Sequence, residues 1–430
     1  MVQFLKWYTI NLSKLKRMDN ISLKNREVSM SGNIAIGIQD FSTIIQGNYF
    51  YIDKTSFIKE WWDSGDSVTL ITRPSRFGKT LAMSMVEQFF SIDYADRSDL
   101  FEHLAIWKDD KYRNLQGTYP VISLSFANVK EPTYEMAIQK ISLFLSKLYI
   151  KHIYILERGI LHGADITFFQ KMLTATENTN DIDITLALNQ LSSFLYQYYG
   201  KKVIILLDDY DAPLQEAFIN GYWDQMTDFT ERLFRSTLKA NPYLERAIMI
   251  GITSMSKEVI FSDFHNLNII TTTSEKYVDS FGFTEKEVFK QLDIRGLADY
   301  KKIVKQWYDG FIFGSHHHIY NPWSIINYLD TKQLRPYWAS TSSNRLINKF
   351  LKESSENIKK QMEALLNGQI IAVNFNEQMV FEQIDKNENA IWSLLLASGY
   401  LKVKKVEYRG KQLELQYHLC ITNLENRYVF

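Results

Sequence analysis

A glycine, a lysine and a threonine stand in a row at Gly78-Lys79-Thr80, within the segment TLITRPSRFGKTLAMSM at residues 69–85. In a phosphate-binding loop of pattern G-x-x-x-x-G-K-[ST], the glycine lets the backbone approach the phosphates. The lysine reaches the β- and γ-phosphates, and the threonine hydroxyl binds Mg²⁺. Such a loop needs a strand before it and a helix after it, because N–H groups at the helix N-terminus bind the negative charge. A predicted strand at 68–72 and a predicted helix from Lys79 meet this requirement.

The beginning of this loop departs from the pattern, because Arg73 stands where the first glycine is expected. Pro74 favours an extended conformation at residue 73, so the loop can form with a negative φ angle there. Arg73 and Arg76 would then bring two guanidinium groups close to bound phosphates. The alternative is a pair of solvated arginines on an ordinary surface loop.

A second apolar strand ends in acidic residues, in the segment KKVIILLDDYDAPL at 201–214. In phosphate-loop ATPases, the first acid at such a strand end holds Mg²⁺ through water, and the next orients the attacking water. Asp208 fits the first role and Asp209 the second, although aspartate is one methylene shorter than the usual glutamate. Asp211 is a third acid nearby. Loop solvation, or capping of a helix ahead of Pro213, is the alternative for these acids.

A third strand ends in the segment IMIGITSMSK. A polar residue at the tip of the strand after the acidic one commonly senses the γ-phosphate, which predicts this role for Thr253 or Ser254. Helix capping by the same side chains explains them equally well.

The apolar runs predict an α/β fold with a parallel sheet. Continuous apolar runs are typical of parallel strands, and their alternation with helices favours such a sheet. We therefore predict a phosphate-loop NTPase domain at 33–280. Four runs are interpreted as buried strands, with helix-length segments between them: 68–72, 121–126, 203–208 and 247–252.

The remainder of the chain has a different character. Residues 281–360 are predicted to form a helical, lid-like domain, because FTEKEVFKQL, DYKKIVKQWYDGF and NPWSIINYLD look helical, with Pro322 near a helix start. In residues 361–430 a helix precedes a hairpin, which fits a small winged-helix-like module or another α+β fragment. Residues 1–32 are a basic extension that is predicted to be poorly ordered.

The composition limits the classes of partner. The chain has 49 basic and 49 acidic residues, so no overall field favours nucleic acid. No apolar run is long enough to span a bilayer, so no membrane partner is expected. The one cysteine, Cys420, excludes an internal disulfide and fits a reducing compartment, so a cytoplasmic location is expected.

Several motifs, taken in order, resemble the AAA-ATPase-like family of bacterial proteins, STAND-like phosphate-loop ATPases often fused to a PD-(D/E)XK-type nuclease domain. The resemblance covers nearly everything from residue 34 onward. Members commonly carry an arginine-proline loop without the first glycine, which accounts for Arg73. Their usual acidic pattern is D-E-Y-D, from which Asp209 departs. The motifs are IAIGIQDFSTIIQGNYFYIDKT, TRPSRFGKT, LLDDYDAPL, GITSMSKEVIFSDFHNL, GFTEKEV, WYDGFIFG, YNPWSIINYL and YWASTSSN.

Fused members of the family continue past the segment matching YHLCITNLENRYVF into the nuclease domain, whereas this sequence ends at Phe430. It carries no later Asp…(Asp/Glu)-x-Lys cluster for a metal-dependent nuclease. The nuclease is therefore expected to be absent, through a truncated gene or because a partner chain supplies it. Nucleic acid would then be an indirect partner.

Three smaller groups of residues have ordinary explanations. His316, His317 and His318 are adjacent, but a metal site needs ligands that converge from several places, so a solvated loop is favoured. The aromatic residues of WYDGF and YNPW could stack bases, but packing within the helical domain is favoured. The basic hairpin KVKKVEYRGK could contact DNA, but a charged solvent-facing surface is favoured.

These patterns predict a protein that binds ATP with Mg²⁺ and hydrolyses it by attack of water on the γ-phosphate. One alternative is a nucleotide-gated scaffold that hydrolyses ATP slowly or not at all, and another is a truncated remnant of an ATPase–nuclease. Assembly with itself or with a partner protein stays open. The predicted catalytic residues are Lys79, Asp208 and Asp209; the predicted nucleotide contacts are Arg73, Arg76, Gly78, Lys79, Thr80 and Thr253; the predicted metal ligands are Thr80 and Asp208.

Overall fold

A five-stranded parallel sheet forms the centre of the protein in this computed structural model. The sheet order is β2-β3-β4-β1-β5, and every neighbouring pair is parallel. The predicted α/β fold with a parallel sheet is thus confirmed, and it is consistent with a phosphate-loop NTPase. The strands are β1 (Val68–Thr72), β2 (Val121–Ser125), β3 (Val203–Asp208), β4 (Leu244–Gly251) and β5 (Leu267–Ile270).

The structure describes residues 32–174, 180–253, 261, 264–338, 345–375, 388–409 and 414–428. The basic extension predicted for residues 1–32 lies outside the described residues except for Gly32. No helix within the described residues is both long and apolar enough to cross a membrane.

Both faces of the sheet are buried, which explains its continuous apolar strands. Side chains alternate along β3: Ile204 and Leu206 lie in one core, and Ile205 and Leu207 lie in the other. The helices that accompany the sheet are α1 (Phe41–Gln46), α2 (Ser56–Ser64), α3 (Lys79–Phe90), α4 (Asp110–Arg113), α5 (Tyr134–Lys151), α6 (Tyr154–Glu157), α7 (Ala164–Leu173), α8 (Asp181–Tyr199), α9 (Ala212–Asn220) and α10 (Trp223–Phe234).

The part that follows β5 contains a small antiparallel sheet as well as helices. Its strands are β6 (Phe283–Thr284), β7 (Asp309–Phe313) and β8 (His316–Tyr320), in the order β6-β8-β7. Only helices were predicted for this part, apart from a loop at His316, His317 and His318, and these histidines instead form the exposed start of β8. The segment DYKKIVKQWYDGF is helical only as far as Tyr308, and its aromatic end forms β7. The helices are α11 (Glu285–Ile294), α12 (Lys301–Tyr308) and α13 (Pro322–Thr331).

The C-terminal part contains the predicted helix and hairpin. A second small antiparallel sheet has the order β10-β11-β9. The helix before the hairpin is buried from Ala390 to Leu396, so its surface is covered by the protein itself. The elements are α14 (Arg345–Glu353), α15 (Glu356–Leu366), β9 (Ile371–Val373), α16 (Ala390–Ala397), β10 (Leu401–Arg409) and β11 (Glu414–Ile421).

Candidate functional site

The loops that follow β1, β3 and β4 meet at the carboxyl edge of the sheet. In open parallel sheets, ligands bind at this edge, beyond the carboxyl ends of the strands. A cavity of about 570 Å³ lies here, and the loop between β1 and α3 forms part of its wall. The cavity lining includes Arg76, Gly78, Lys79, Thr80, Asp209 and Thr253.

The loop at 73–78 delivers the chain into α3 through a left-handed turn. Gly78 has φ +81° and is the N-cap of α3, a conformation that glycine adopts without steric cost. Within the described residues, the amide N–H groups at 75–78 donate to no backbone oxygen. Consecutive unpaired amides beside a helix N-terminus are a binding site for anions.

Lys79 is buried beneath this loop, with 6% of its surface exposed. Its Nζ donates to the carbonyl oxygens of Arg73 at 3.0 Å and Pro74 at 2.9 Å. Burial lowers the pKa of Lys79, and the carboxylates that follow β3 counteract this. The loop is thus folded around a positive charge.

Thr80 and Asp208 join the start of α3 to the end of β3. Thr80 Oγ1 donates to Asp208 Oδ2 at 2.9 Å, and Ser125 Oγ lies 3.4 Å from the same oxygen. Asp208 Oδ1 is buried and accepts no hydrogen bond within the described residues. Burial raises the pKa of Asp208, while the hydrogen bond from Thr80 lowers it. A hydroxyl beside a carboxylate with an unused oxygen fits Mg²⁺, which prefers oxygen ligands.

Asp209 lies directly after β3 and lines the cavity. It has a left-handed backbone with φ +47°, which is uncommon for a residue other than glycine. Burial raises the pKa of Asp209 to about 6, although the charge of Lys79 lowers it. A carboxylate with such a pKa is suited to accept a proton near neutral pH.

Asp211 organises the end of β4, a role that the sequence analysis missed. Its Oδ2 accepts hydrogen bonds from the Ile252 amide at 3.1 Å, the Thr253 amide at 2.9 Å and the Thr253 hydroxyl at 2.7 Å. Asp211 occupies the N-cap position of α9, but its side chain makes no capping hydrogen bond there and binds the end of β4 instead. Thr253 therefore has its hydroxyl fixed at the cavity wall, whereas Ser254 lies outside the described residues.

One glycine could have indicated this link between β3 and β4. A Cβ atom at Gly251 would lie 2.6 Å from Asp211 Oδ1 and 2.7 Å from the Tyr210 ring. Only glycine allows this close approach, so the glycine in IMIGIT marks the place where the two strand ends touch.

Arg73 does not reach the cavity, in contrast to its predicted phosphate contact. Its amide still pairs with Gly251 of β4 at 3.2 Å, so residue 73 extends β1 and directs its side chain into the protein. The fully buried guanidinium donates to the carbonyl oxygens of Thr72 at 2.9 Å and Thr271 at 2.7 Å. It also lies 4.6 Å from the centre of the Phe313 ring. We therefore assign Arg73 to holding β1 and β5 together.

Arg76, unlike the buried Arg73, is exposed and lines the cavity. Its backbone is left-handed, with φ +66°, and its guanidinium lies 4.1 Å above the ring of Trp323. Of the two loop arginines, Arg76 is therefore the one placed to meet a bound anion.

Comparison with known proteins fits this arrangement. A family model described as "Predicted AAA-ATPase" matches residues 35–261, more than half of the chain. The chain belongs to this AAA-ATPase-like family. The matched range contains the loop between β1 and α3, the acids at the end of β3 and the end of β4. The sequence resemblance to the family is thus confirmed, whereas the remark about a nuclease domain stays a prediction.

A relative of this AAA-ATPase-like chain is found in Azotobacter chroococcum mcd 1 and is named "Uncharacterized protein in vnfD 5'region". The two sequences are 24% identical over 403 residues, which span 91% of this chain and 68% of the relative. The similarity therefore extends well past the part that the family model matches.

The histidines of β8 lie apart from the cavity. His318 Nδ1 is 2.7 Å from Asp309 Oδ2, and ligand atoms of His318, Asp309 and Glu285 all lie within 4.8 Å of one another. The Lys305 ammonium, however, already forms an ion pair with Glu285. An internal cation therefore neutralises part of this group.

The aromatic residues of WYDGF and YNPW are mostly packed. Tyr308 and Tyr320 are fully buried, and Trp307 stacks on Tyr428 with ring centres 5.6 Å apart. Trp323, whose ring packs against the Arg76 guanidinium, lies at the cavity wall. In the hairpin, Lys405, Arg409 and His418 all pair with the single carboxylate of Glu407, which offsets one positive charge of this basic segment.

The two loop arginines should respond differently to replacement by lysine. Arg73→Lys is expected to lower the free energy of unfolding by about 2 kcal/mol or more, because lysine cannot satisfy the buried carbonyl oxygens with the same fork of donors. Arg76→Lys should change it by less than about 0.5 kcal/mol, because that side chain is exposed. Urea denaturation of both variants measures the difference, and equal losses would contradict the assigned placement.

Proposed function

We propose that the protein binds ATP with Mg²⁺ at this loop and hydrolyses the bond to the γ-phosphate. The observation that carries the proposal is the pair of Thr80 and Asp208, joined at 2.9 Å, in which the second oxygen of Asp208 is buried and has no hydrogen-bond partner among the residues that the structure describes. Membership of the AAA-ATPase-like family supports nucleotide and metal use in general.

The phosphate groups would bind where the loop amides and the N-terminus of α3 converge. Lys79 would exchange the carbonyl oxygens of Arg73 and Pro74 for phosphate oxygens, because its flexible side chain already reaches the centre of the loop. Arg76 would add a second positive charge at the open side of the cavity. These contacts are electrostatic and need no reorganisation of the sheet.

Thr80 and Asp208 would hold Mg²⁺, which neutralises the charge that develops on the phosphates. Asp209 would orient the attacking water and accept its proton, since it lines the cavity and has a raised pKa. Thr253, fixed by Asp211, would respond to the γ-phosphate at the end of β4.

A nucleotide-gated switch with slow hydrolysis is the second candidate, and one observation favours it. Asp209 replaces the longer glutamate that is usual in the family motif, and its left-handed backbone fixes the direction of the shorter side chain. In such a switch, the occupied site would serve to reposition other parts of the chain.

The proposed domain boundaries remain 33–280, 281–360 and 361–430, with a winged-helix-like C-terminal module. The sheet order β10-β11-β9, with α16 directly before the hairpin, supports a winged-helix arrangement. Because α16 is buried, this module would serve contacts within the protein rather than insertion of a helix into a DNA groove.

Replacing Lys79 by alanine should weaken MgATP binding at least about tenfold, because the cation at the centre of the loop is lost. Isothermal titration calorimetry measures the affinity, and circular dichroism checks that the variant is folded. Lys147→Ala, on the exposed surface of α5, is the matched control and should bind as the wild type does. Equal affinities of Lys79→Ala and the wild type would refute the proposed phosphate site.

The hydrolysis rate at saturating ATP should rise with pH through about 6 and then level off. Asp209 is protonated below this pKa and cannot accept a proton from water, whereas above it the carboxylate is ionised. Phosphate release measured from about pH 5 to pH 8 tests this. The Asp209→Asn variant should hydrolyse ATP at least about a hundredfold more slowly, and its rate should not rise with pH near 6. A wild-type profile that is flat across this range would contradict the role of Asp209.

Restoring the longer acid with Asp209→Glu distinguishes the enzyme from the switch. If the reach of the carboxylate limits hydrolysis, the rate should rise about tenfold or more at unchanged ATP affinity. The measurement is phosphate release beside ATP binding, with Asp224→Glu in α10 as a surface control. A rate that stays the same would show that this carboxylate does not limit the reaction.

A further inference from the structure

The C-terminal half of the chain touches each residue of the phosphate loop from Pro74 to Phe77. These contacts support the loop from outside. The loop lacks the glycine that usually begins such a loop. The contacting groups are Gly399 at Pro74, Trp338 and Asn321 at Ser75, Trp323 at Arg76, and Phe311 and Phe313 at Phe77.

Trp338 makes the most directed of these contacts. Its indole Nε1 donates to Ser75 Oγ at 2.9 Å and lies 3.1 Å from the Ser75 carbonyl oxygen. The ring is fully buried, with Tyr400 and Phe311 packed beside it at 4.9 and 6.1 Å between ring centres. Since Ser75 also lines the cavity, the position of this indole fixes part of the cavity wall.

Glu425 in turn fixes Trp338. Its Oε1 accepts a hydrogen bond from the Trp338 amide at 2.7 Å, and its Oε2 accepts one from the Ser324 hydroxyl at 2.8 Å. Glu425 is 1% exposed, and within the described residues its carboxyl group is influenced by burial and by the Trp338 and Ser324 hydrogen bonds, with no cationic partner. Burial raises the pKa of Glu425 to about 7, so the neutral acid is well populated near neutral pH.

We propose that Glu425 is a positioning residue for the phosphate loop, acting through Trp338 on Ser75. The inference rests on the proposed function, because the loop it positions is the proposed nucleotide site. A carboxyl group buried without a cation is costly, and its two hydrogen bonds here link α13, Trp338 and the C-terminal segment. The loop amides are thereby held in place before a ligand arrives, which reduces the entropy lost on binding.

The rate of trypsin cleavage after Arg76 in the nucleotide-free protein measures how firmly the loop is held in place. Arg76 is exposed, but its neighbours Ser75 and Phe77 are fixed by the C-terminal half, so cleavage requires local opening of the loop. Mass spectrometry follows the peptide that begins at Phe77, and cleavage after Arg113 in α4 serves as an internal reference.

Glu425→Ala and Trp338→Phe should each increase the rate of cleavage after Arg76 about tenfold, since one buried hydrogen bond in the chain of contacts is lost. Glu425→Gln should remain close to the wild type, because its amide oxygen can still accept from the Trp338 amide. Glu353→Ala on α14 and Trp307→Phe on α12 are the matched controls and should cleave as the wild type does.

Unchanged cleavage after Arg76 in folded Glu425→Ala and Trp338→Phe would overturn the proposal. If Glu425→Ala also speeds cleavage after Arg113, this variant is globally destabilised. The proposal is then tested by the rate of cleavage after Arg76 in the milder Trp338→Phe variant. The same digest with MgATP separates the two proposals. Faster cleavage in the variants with no protection of the wild type by MgATP would support the positioning role and contradict the proposed nucleotide site.

Discussion

One buried positive charge, on Lys79, constrains the whole site. A desolvated ammonium group must be surrounded by oxygen atoms, and the loop provides its own carbonyl oxygens while the end of β3 provides carboxylates. The sheet order places β4 between β1 and β3, so both strand ends reach this point. Burial of the same region raises the pKa of Asp209, and one oxygen of Asp208 has no hydrogen-bond partner in the described part of the chain. Charge balance around Lys79 thus connects the fold to the proposed chemistry.

The second constraint is the absence of a glycine at the start of the loop. Arg73 continues β1 by one residue, and its guanidinium binds the carbonyl oxygens of Thr72 at the end of β1 and Thr271 just after β5, so the entry into the loop is rigid. Pro74, Ser75 and Phe77 are packed against the C-terminal half of the chain. A glycine-rich loop becomes rigid when it binds its ligand. We infer that this loop is already held rigid by its contacts with the rest of the protein.

Local patterns were sufficient to predict a parallel sheet and four of its five strands, whereas β5 was not predicted. They also gave the strand, loop and helix order that places Lys79, Thr80 and Asp208 at one edge of the sheet. Contacts between distant residues could not be predicted in this way. Whether Arg73 or Arg76 faces the cavity depends on a left-handed turn at residue 76. The link from Glu425 to Trp338 joins residues 87 positions apart, and nothing in either segment alone indicates it. The small sheet around β8 was missed because a helical pattern continues into β7.

The most direct test of the proposed metal-assisted nucleotide site is the dependence of ATP affinity on Mg²⁺ in the wild type and in Asp208→Asn. Calorimetric titrations with ATP, in excess Mg²⁺ and in excess EDTA, give the coupling between metal and nucleotide for each protein. We predict that the wild type binds ATP at least about tenfold more tightly with Mg²⁺, and that Asp208→Asn loses most of this difference. Equal Mg²⁺ dependence in the two proteins, or no ATP binding by the folded wild type, would contradict the account.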